Sequence, residues 1–355
     1  MSILFAVLAI LLGLAACLVG LALYWSRTPH GRIKPIFALV FGLSRRFRPE
    51  AAARAIGAEH MDTPEQCARV RATFAQNTAS LSKPVEFDGT VEDRRLAGSP
   101  GGELPVRIYT PASATGRDDL PLLVYFHGGG FVVGDPDYTD APCRILAART
   151  PAIVVSVDYR LAPEHPLPAV PDDCEFAVNW CFENAGALGA RSGPVVVSGD
   201  SAGGNLAAVV SQRDRASGRG RIALQVLIYP CTDLSRTDRD SHVAFGTGFG
   251  LSTADIDDCV RHYAPAGTDR QLPALSPLYA KDLSGLPPAF VITAGFDVLR
   301  DEGRAYAEAL ERAGVEVAYT HEAELPHGFI TMTRLCREAE ATLEVIAARM
   351  RRLAG

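Results

Sequence analysis

The stretch "VVVSGDSAGGN", residues 195–205, decides the fold. Its three valines predict a buried strand, and the small residues after them predict a tight turn into an Ala-rich helix. The turn has the pattern G-x-S-x-G, with Ser201 at its centre. A serine on such a corner is held in a strained conformation with its hydroxyl above the sheet, while Gly199 and Gly203 keep the strand and helix clear. The alternatives are a plain βα turn or a phosphate loop, although the patterns G-x-x-x-x-G-K-S/T and G-x-G-x-x-G are both absent.

A second glycine-rich stretch, "HGGGF" at residues 127–131, directly follows the apolar run "LLVYF". Three consecutive glycines leave backbone N–H groups that a ligand can approach closely. Loops of this type stabilise an oxyanion beside a serine on a strand-to-helix corner, and the N–H of Ala202 at the helix start points the same way. We therefore expect Ser201 to be a nucleophile in acyl transfer. We expect His127 to fix the loop rather than to act as a base.

A serine nucleophile needs a base, and the base needs a group that orients it. On this type of sheet the acid and then the histidine follow the serine along the chain. Asp297 comes just after the predicted strand "AFVITAG", whereas Asp301 is better placed to begin the following helix. His327 follows the last predicted strand, the alternating run "VEVAYT" at residues 315–320, and His321, at the end of that strand, is the second candidate.

After about residue 85, short apolar runs alternate with helical segments. The runs that predict buried strands are 122–126, 152–159, 194–200, 223–230 and 289–295. Such runs separated by helices predict a mostly parallel central sheet with helices on both faces, which is an α/β doubly wound architecture. Residues 231–283 are polar, rich in Gly, Asp and Pro, and without a strong strand pattern. We interpret them as a helical cap insertion at the carboxyl edge of the sheet, where ligands bind in such folds.

These motifs resemble those of the hormone-sensitive-lipase-like esterases of the α/β-hydrolase superfamily. The resemblance extends in order over about residues 85–350, through the stretches "HGGGF" (127–131), "DYRLAPEHPLPA" (158–169), "GDSAGG" (199–204), "DVLRDEG" (297–303) and "HGF" (327–329). It implies an α/β-hydrolase fold with a helical cap built from residues 27–85 and 231–283. It also implies that residues 86–355 form the catalytic domain.

The resemblance also implies roles for individual residues. Ser201 is expected to be the nucleophile, Asp297 the acid and His327 the base. The expected oxyanion donors are the N–H groups of Gly129, Gly130 and Ala202. Arg160 and Glu164 are expected to form structural ion pairs behind the site. Val298 departs from the family pattern, which usually has Pro at that position.

Composition limits the partners. The chain has 355 residues and a formal net charge of −6, and no Asp or Glu occurs before residue 50. The acidic body argues against nucleic acid as a partner. None of the eight cysteines has CxxC or Cys/His metal spacing, so we expect reduced thiols, no metal and no cofactor. Composition does not predict an oligomeric state.

The apolar run at residues 3–25 predicts a transmembrane helix over residues 1–26. A buried core helix is the alternative. Residues 27–85 are then a basic juxtamembrane segment and the first helices of the cap. The basic flank on the C-terminal side predicts a single-pass membrane protein, suspected to lie in a bacterial inner membrane, with its catalytic body in the cytoplasm.

Together these features predict a serine carboxylesterase that hydrolyses short- to medium-chain acyl esters of small molecules through an acyl-enzyme. One alternative is a membrane-anchored amide or N-acetyl deacetylase with the same three residues, since the same chemistry cleaves both bonds. The other is a non-catalytic ligand receptor on the same fold, which the presence of His327 disfavours.

Overall fold

The computed structural model describes residues 2–47, 49 and 54–354. Met1 of the predicted transmembrane helix, residues 48 and 50–53 of the predicted cap, and Gly355 lie outside the described residues. The strands are Arg27–Thr28 (β1), Gly31–Arg32 (β2), Gly89–Ser99 (β3), Gly102–Pro111 (β4), Leu122–Phe126 (β5), Ile153–Val157 (β6), Val195–Asp200 (β7), Ile222–Ile228 (β8), Ala289–Phe296 (β9) and Val317–Pro326 (β10).

The α-helices are Ser2–Trp25 (α1), Pro35–Phe47 (α2), Pro64–Ala79 (α3), Asp140–Arg149 (α4), Ala169–Asn184 (α5), Ala202–Ser217 (α6), Asp240–Phe245 (α7), Thr253–Tyr263 (α8), Arg300–Arg312 (α9) and Arg337–Ala354 (α10). Short 3-10 turns occur at Ala58–His60, Ala112–Ala114, Gly186–Leu188, Pro277–Tyr279 and Phe329–Thr331.

The centre of the protein is an eight-stranded sheet in the order β10-β9-β8-β7-β5-β6-β4-β3. The strands from β10 to β6 along this order run parallel, while β4 pairs antiparallel with both β6 and β3. Strands β5, β6, β7 and β9 are buried along their whole length, because helices cover both faces of the sheet. The predicted α/β-hydrolase fold is therefore present.

The stretch 195–205 begins with β7, at the middle of this sheet. Helix α6 leaves the carboxyl end of β7 and packs back on β7 and β8, and α5 packs beside it. Helices α4 and α10 pack on each other away from α6. The carboxyl ends of the parallel strands meet at one edge, so the loops that follow β5, β7, β9 and β10 converge there.

Two helices from the segments expected to form the cap, α3 and α8, lie near that edge. Helix α3 begins at a capping box, in which the hydroxyl of Thr63 accepts from the N–H of Gln66 and the Gln66 side chain accepts from the N–H of Thr63. Helix α8 begins with an equivalent box between Ser252 and Asp255. The carboxylate of Asp255 also accepts the N–H groups of Ala55 and Ile56, at 3.0 and 2.9 Å, and so joins the two segments. The predicted domain boundaries themselves stay a prediction.

The predicted transmembrane helix is wrong. Residues Ser2–Trp25 do form a helix, but no helix in the described part of the chain is both long and apolar enough to cross a membrane. Among its described residues, only the C-terminal end of α1 packs against the folded body. Ser26 is buried, and the ring of Trp25 fills the space where a side chain at Gly42 of α2 would lie. The cytoplasmic location predicted from the flanking charge stays a prediction.

Candidate active site

Ser201 occupies the corner between β7 and α6 with φ 57° and ψ −117°. This is a conformation that a residue with a side chain rarely adopts, and it projects the side chain away from both elements. The corner is tight, since a Cβ on Gly199 would lie 2.6 Å from the carbonyl oxygen of Phe126, and one on Gly203 would lie 2.7 Å from that of His127. Only glycine fits at either position, which explains the small residues in the motif.

The structure brings Ser201, His327 and Asp297 into one hydrogen-bonded chain. The Nε2 of His327 lies 2.9 Å from the Oγ of Ser201, and its Nδ1 lies 2.8 Å from the Oδ2 of Asp297. Asp297 is buried, while the side chain of His327 is 12 % exposed and Ser201 is 9 % exposed. A carboxylate on Nδ1 favours the tautomer whose Nε2 is free to accept the serine proton.

The loop after β9 holds Asp297 in place. Its Oδ1 accepts the N–H of Leu299 at 2.9 Å, which leaves Oδ2 for the histidine. This N–H belongs to Leu299, so Val298 in place of Pro removes nothing from the loop. Asp301 lies in the first turn of α9, where its Oδ2 accepts the N–H of Ser241 at 2.8 Å. His321 bonds Thr293 at 3.0 Å on the edge strand and is not part of the chain of three.

The loop after β5 faces Ser201. Gly129 and Gly130 have φ of 116° and 61°, and a Cβ on Gly130 would lie 3.1 Å from the Cβ of Cys259. The carbonyl of Gly129 accepts the N–H groups of Val132 and Val133 at 3.1 and 3.0 Å, which fixes the turn. Neither Gly129 nor Gly130 donates a backbone hydrogen bond within the described chain. Together with Ala202 at the start of α6, they line the same cavity as Ser201.

Asp200 is a supporting residue that sequence reasoning left without a role. Its Oδ1 accepts the N–H of Gly128 and the hydroxyl of Tyr125, both at 3.1 Å, so it ties the glycine loop to the strand that carries Ser201. Burial raises the pKa of Asp200 to about 6. The signal available in the sequence was a charged residue at the end of an otherwise apolar strand.

His127 is also structural. Its ring stacks on Tyr159 with the centroids 4.1 Å apart, and its Nδ1 donates to the carbonyl of Gly128 at 2.7 Å. Burial lowers the pKa of His127 to about 4, so the ring is neutral near pH 7.

The residues of the "YRLAPE" stretch form ion pairs behind the site. Arg160 binds the buried carboxylate of Asp173 through Nε at 2.8 Å. Glu164 binds Arg71 of α3 with Nη–Oε distances of 2.8 and 2.6 Å. Arg71 further donates to the carbonyl oxygens of Val132 and Ala162, at 2.9 and 3.0 Å. Nothing in the sequence near Arg71 singled it out.

Ser201 opens into a cavity of about 220 Å³. The walls from the mid-chain insertion are mainly apolar, and Cys259 contributes an uncharged thiol because burial raises its pKa. Helix α3 contributes Phe74, Asn77 and Thr78 from the other side. Within the described residues, no group of three or more His, Cys, Asp or Glu side chains could hold a metal ion. The site is therefore an apolar pocket around one polar chain of serine, histidine and aspartate.

Two family models match the sequence. The model described as "alpha/beta hydrolase fold" matches residues 123–331, and the one described as "Carboxylesterase family" matches residues 64–165.

Known proteins of this type are similar over most of the chain. The carboxylic ester hydrolase LipN of Mycobacterium tuberculosis is 46% identical over 265 residues, which cover 73% of this chain and 69% of LipN. Ethyl acetate hydrolase of Pseudomonas putida is 36% identical, with 78% and 87% covered. The solved structure of ester-hydrolase EH1AB1, from the metagenome of Lake Arreo, superimposes with a TM-score of 0.80 at 40% identity and covers 91% of this chain and 98% of its own.

Proposed function

Because the chain belongs to the α/β hydrolase fold family and is a hormone-sensitive-lipase-like serine carboxylesterase, we propose that Ser201, His327 and Asp297 are its catalytic triad. We further propose that its substrates are esters of short- to medium-chain acids. The observation that carries the proposal is the unbroken chain from the Ser201 Oγ through the His327 ring to the Asp297 carboxylate. It supplies a nucleophile, a base and a group that orients the base, in contact before substrate arrives.

In the first half-reaction, the Oγ of Ser201 attacks the ester carbonyl carbon while the Nε2 of His327 takes the serine proton. Asp297 stabilises the imidazolium that forms. The negative charge on the carbonyl oxygen is stabilised by the N–H groups of Gly129, Gly130 and Ala202, and one such donor contributes about 2.7–4 kcal/mol. The C–O bond of the ester then breaks, and His327 returns the proton to the leaving alcohol. Water repeats the attack on the acyl-enzyme, releases the acid and restores Ser201.

The size and chemistry of the cavity support small, apolar esters. Its volume of about 220 Å³ lies below the roughly 300–1,000 Å³ of most ligand pockets. Ethyl acetate hydrolase, a relative over most of its length, is named for a small ester. The amide-cleaving alternative is not favoured, since the relatives described above are named for ester hydrolysis.

The test is the hydrolysis of p-nitrophenyl butyrate by purified variants. Ser201→Ala and Asp297→Asn should each lower kcat on the order of 10⁴-fold or more, because one removes the nucleophile and the other favours the wrong histidine tautomer. Asp301→Asn is the matched control and should retain nearly full activity, since Asp301 bonds Arg300 and the N–H of Ser241 and makes no hydrogen bond to His327. Full activity in Ser201→Ala would end the proposal. Loss in Asp301→Asn with activity kept in Asp297→Asn would reassign the acid.

A further inference from the structure

A second pocket, which we call the side groove, lies between α3 and residues 134–138. Its volume is about 270 Å³. It lies beside the active-site cavity, because Phe74, Thr78 and Tyr138 line both. These three residues therefore form the wall between the two spaces.

Two of the three wall residues are tethered. The hydroxyl of Thr78 donates to the carbonyl of Phe74 at 2.8 Å, which is a bond within its own helix. The N–H of Tyr138 donates to the carboxylate of Asp135 at 2.9 Å, and the hydroxyl end of Tyr138 is buried near Asp200 and Thr331, which raises its pKa.

Phe74 has no such tether. Its ring packs on the ring of Tyr138, with centroids 5.2 Å apart and planes inclined by 56°. Phe74 is only half-buried, on a helix whose outer face is solvent-exposed. A phenylalanine side chain has no polar atom to anchor it, so its removal opens the wall without leaving an unpaired polar group.

We propose that Phe74 is a specificity-determining residue, which sets the upper chain length of the ester by closing the active-site cavity against the side groove. The inference rests on the proposed function, since it concerns the substrate of the same serine. With the wall open, the two volumes together fall within the usual range of ligand pockets. A chain too long for the cavity alone then has an apolar continuation.

The lining of the side groove indicates which chemistry it accepts. Along α3 it presents the small apolar side chains of Ala75 and Ala79. Asp135 and Asp137 lie on the opposite side, and the positive charge of Arg71 is already paired with Glu164. An anionic group would be repelled there, so the fitting occupant is the uncharged end of an alkyl chain.

The experiment compares kcat/KM for p-nitrophenyl esters from butyrate to laurate. In Phe74→Ala, the ratio of laurate to butyrate should rise about tenfold, in line with the 10–200-fold that one methylene can be worth in an apolar pocket. Phe74→Leu should give a smaller rise of the same ratio. This variant tests the inference independently if Phe74→Ala folds poorly. An unchanged ratio in a folded, active Phe74→Ala enzyme would overturn the inference.

Two further variants separate the opening of the wall from simple enlargement. Leu81 lines the cavity but not the side groove, so Leu81→Ala enlarges the cavity without opening the wall and should raise the ratio much less than Phe74→Ala. In the double variant with Ala75→Phe, which refills the side groove, the gain of Phe74→Ala should disappear. A gain that persists in the double variant, or that is equal in Leu81→Ala, would contradict the role of the side groove. An enzyme without activity on any of these esters would instead overturn the proposed function, and this inference with it.

Discussion

Asp200 is adjacent to Ser201, the proposed nucleophile, but none of its hydrogen bonds goes to His327. Its carboxylate is fully buried, and only Oδ1 has hydrogen-bond partners among the described residues. Burial of a carboxylate favours its protonated form, which is why the pKa of Asp200 rises from 3.8 to about 6. The fold thus tolerates a costly ionised group here, and what it gains is a fixed position for Gly128 at the start of the oxyanion loop.

The raised pKa predicts a pH dependence of stability that Asp200→Asn removes. Between about pH 4 and pH 6 the folded protein holds a proton on Asp200 that the unfolded chain has lost. The contribution of Asp200 to the free energy of unfolding therefore falls as the pH rises through this window, by up to about 3 kcal/mol. The neutral asparagine cannot show this fall. Urea unfolding at pH 4 and pH 7 measures this. The free energy of unfolding of the wild type, relative to that of Asp200→Asn, should be higher at pH 4 than at pH 7.

Asp118→Asn is the control for this measurement, because Asp118 lies on the exposed surface. Its difference from the wild type should stay nearly constant over the same pH range. A constant difference for Asp200→Asn as well would show that the carboxylate is not destabilised by burial.

At the scale of the elements, the corner that carries Ser201 (the elbow) depends on the closeness of β5, β7 and α6. The registers place Phe126 opposite Gly199, and the carbonyl of Phe126 occupies the space that a side chain at Gly203 would need. The first turn of α6 can begin directly above the sheet only because this position carries no Cβ.

Gly203→Ala should therefore destabilise the protein severely. The added methyl group meets backbone atoms, which cannot rotate aside, so the strand and helix must separate. Overpacking of this kind costs about 1–3 kcal/mol and occasionally more, and the backbone contact places this variant at the upper end. Gly186→Ala is the matched control, since its Cβ would meet only the Ser192 Oγ at 3.7 Å. Urea unfolding of both variants measures the difference, and equal stabilities would contradict this account of the elbow.

Sequence patterns predicted best the strands that are buried along their whole length. The run "LLVYF" coincides with β5, and the run at 289–295 falls one residue short of β9. Strand β3 was not predicted, because it is an edge strand whose residues are mostly exposed, and "VEDRR" reads as a polar segment. The residues of the proposed triad could be placed because each follows a predicted strand, of which β7 and β9 are buried and β10 is a partly exposed edge strand. The roles of Asp200 and Arg71 could not be predicted, since both bond backbone groups that come near them only when the chain is folded.

At the scale of the whole molecule, distant parts of the chain meet around the active site. Away from that site, the apolar N-terminal run shows the limit of composition, since it predicted a helix but not the packing of this helix on α2. For the charged residue Arg71, too, the sequence does not predict which parts of the chain it contacts. It lies 61 residues before Val132 and 93 before Glu164, and its guanidinium bonds both. Helix α3 is thereby fixed to the turn that carries Gly129 and Gly130.

Arg71→Gln should consequently impair catalysis more than it impairs folding. Glutamine cannot reach both the carbonyl of Val132 and the carboxylate of Glu164, so the oxyanion loop loses an outer restraint. A misplacement of about 1 Å can cost on the order of 10²-fold in rate, and we expect a fall of about 10- to 100-fold in kcat for p-nitrophenyl butyrate. Arg71→Lys should recover part of the loss, because an ammonium group can still pair with Glu164.

The matched control is Arg69→Gln, on the exposed face of the same helix, which should leave kcat nearly unchanged. The restraint acts on the loop that carries the proposed oxyanion donors Gly129 and Gly130, so the loss in Arg71→Gln should lie mainly in kcat rather than in KM. Inactivation by a p-nitrophenyl phosphonate, which forms the same tetrahedral geometry on Ser201, should slow in parallel. A variant that loses only thermal stability, with kcat and the inactivation rate intact, would show that Arg71 joins the two segments without positioning the oxyanion loop.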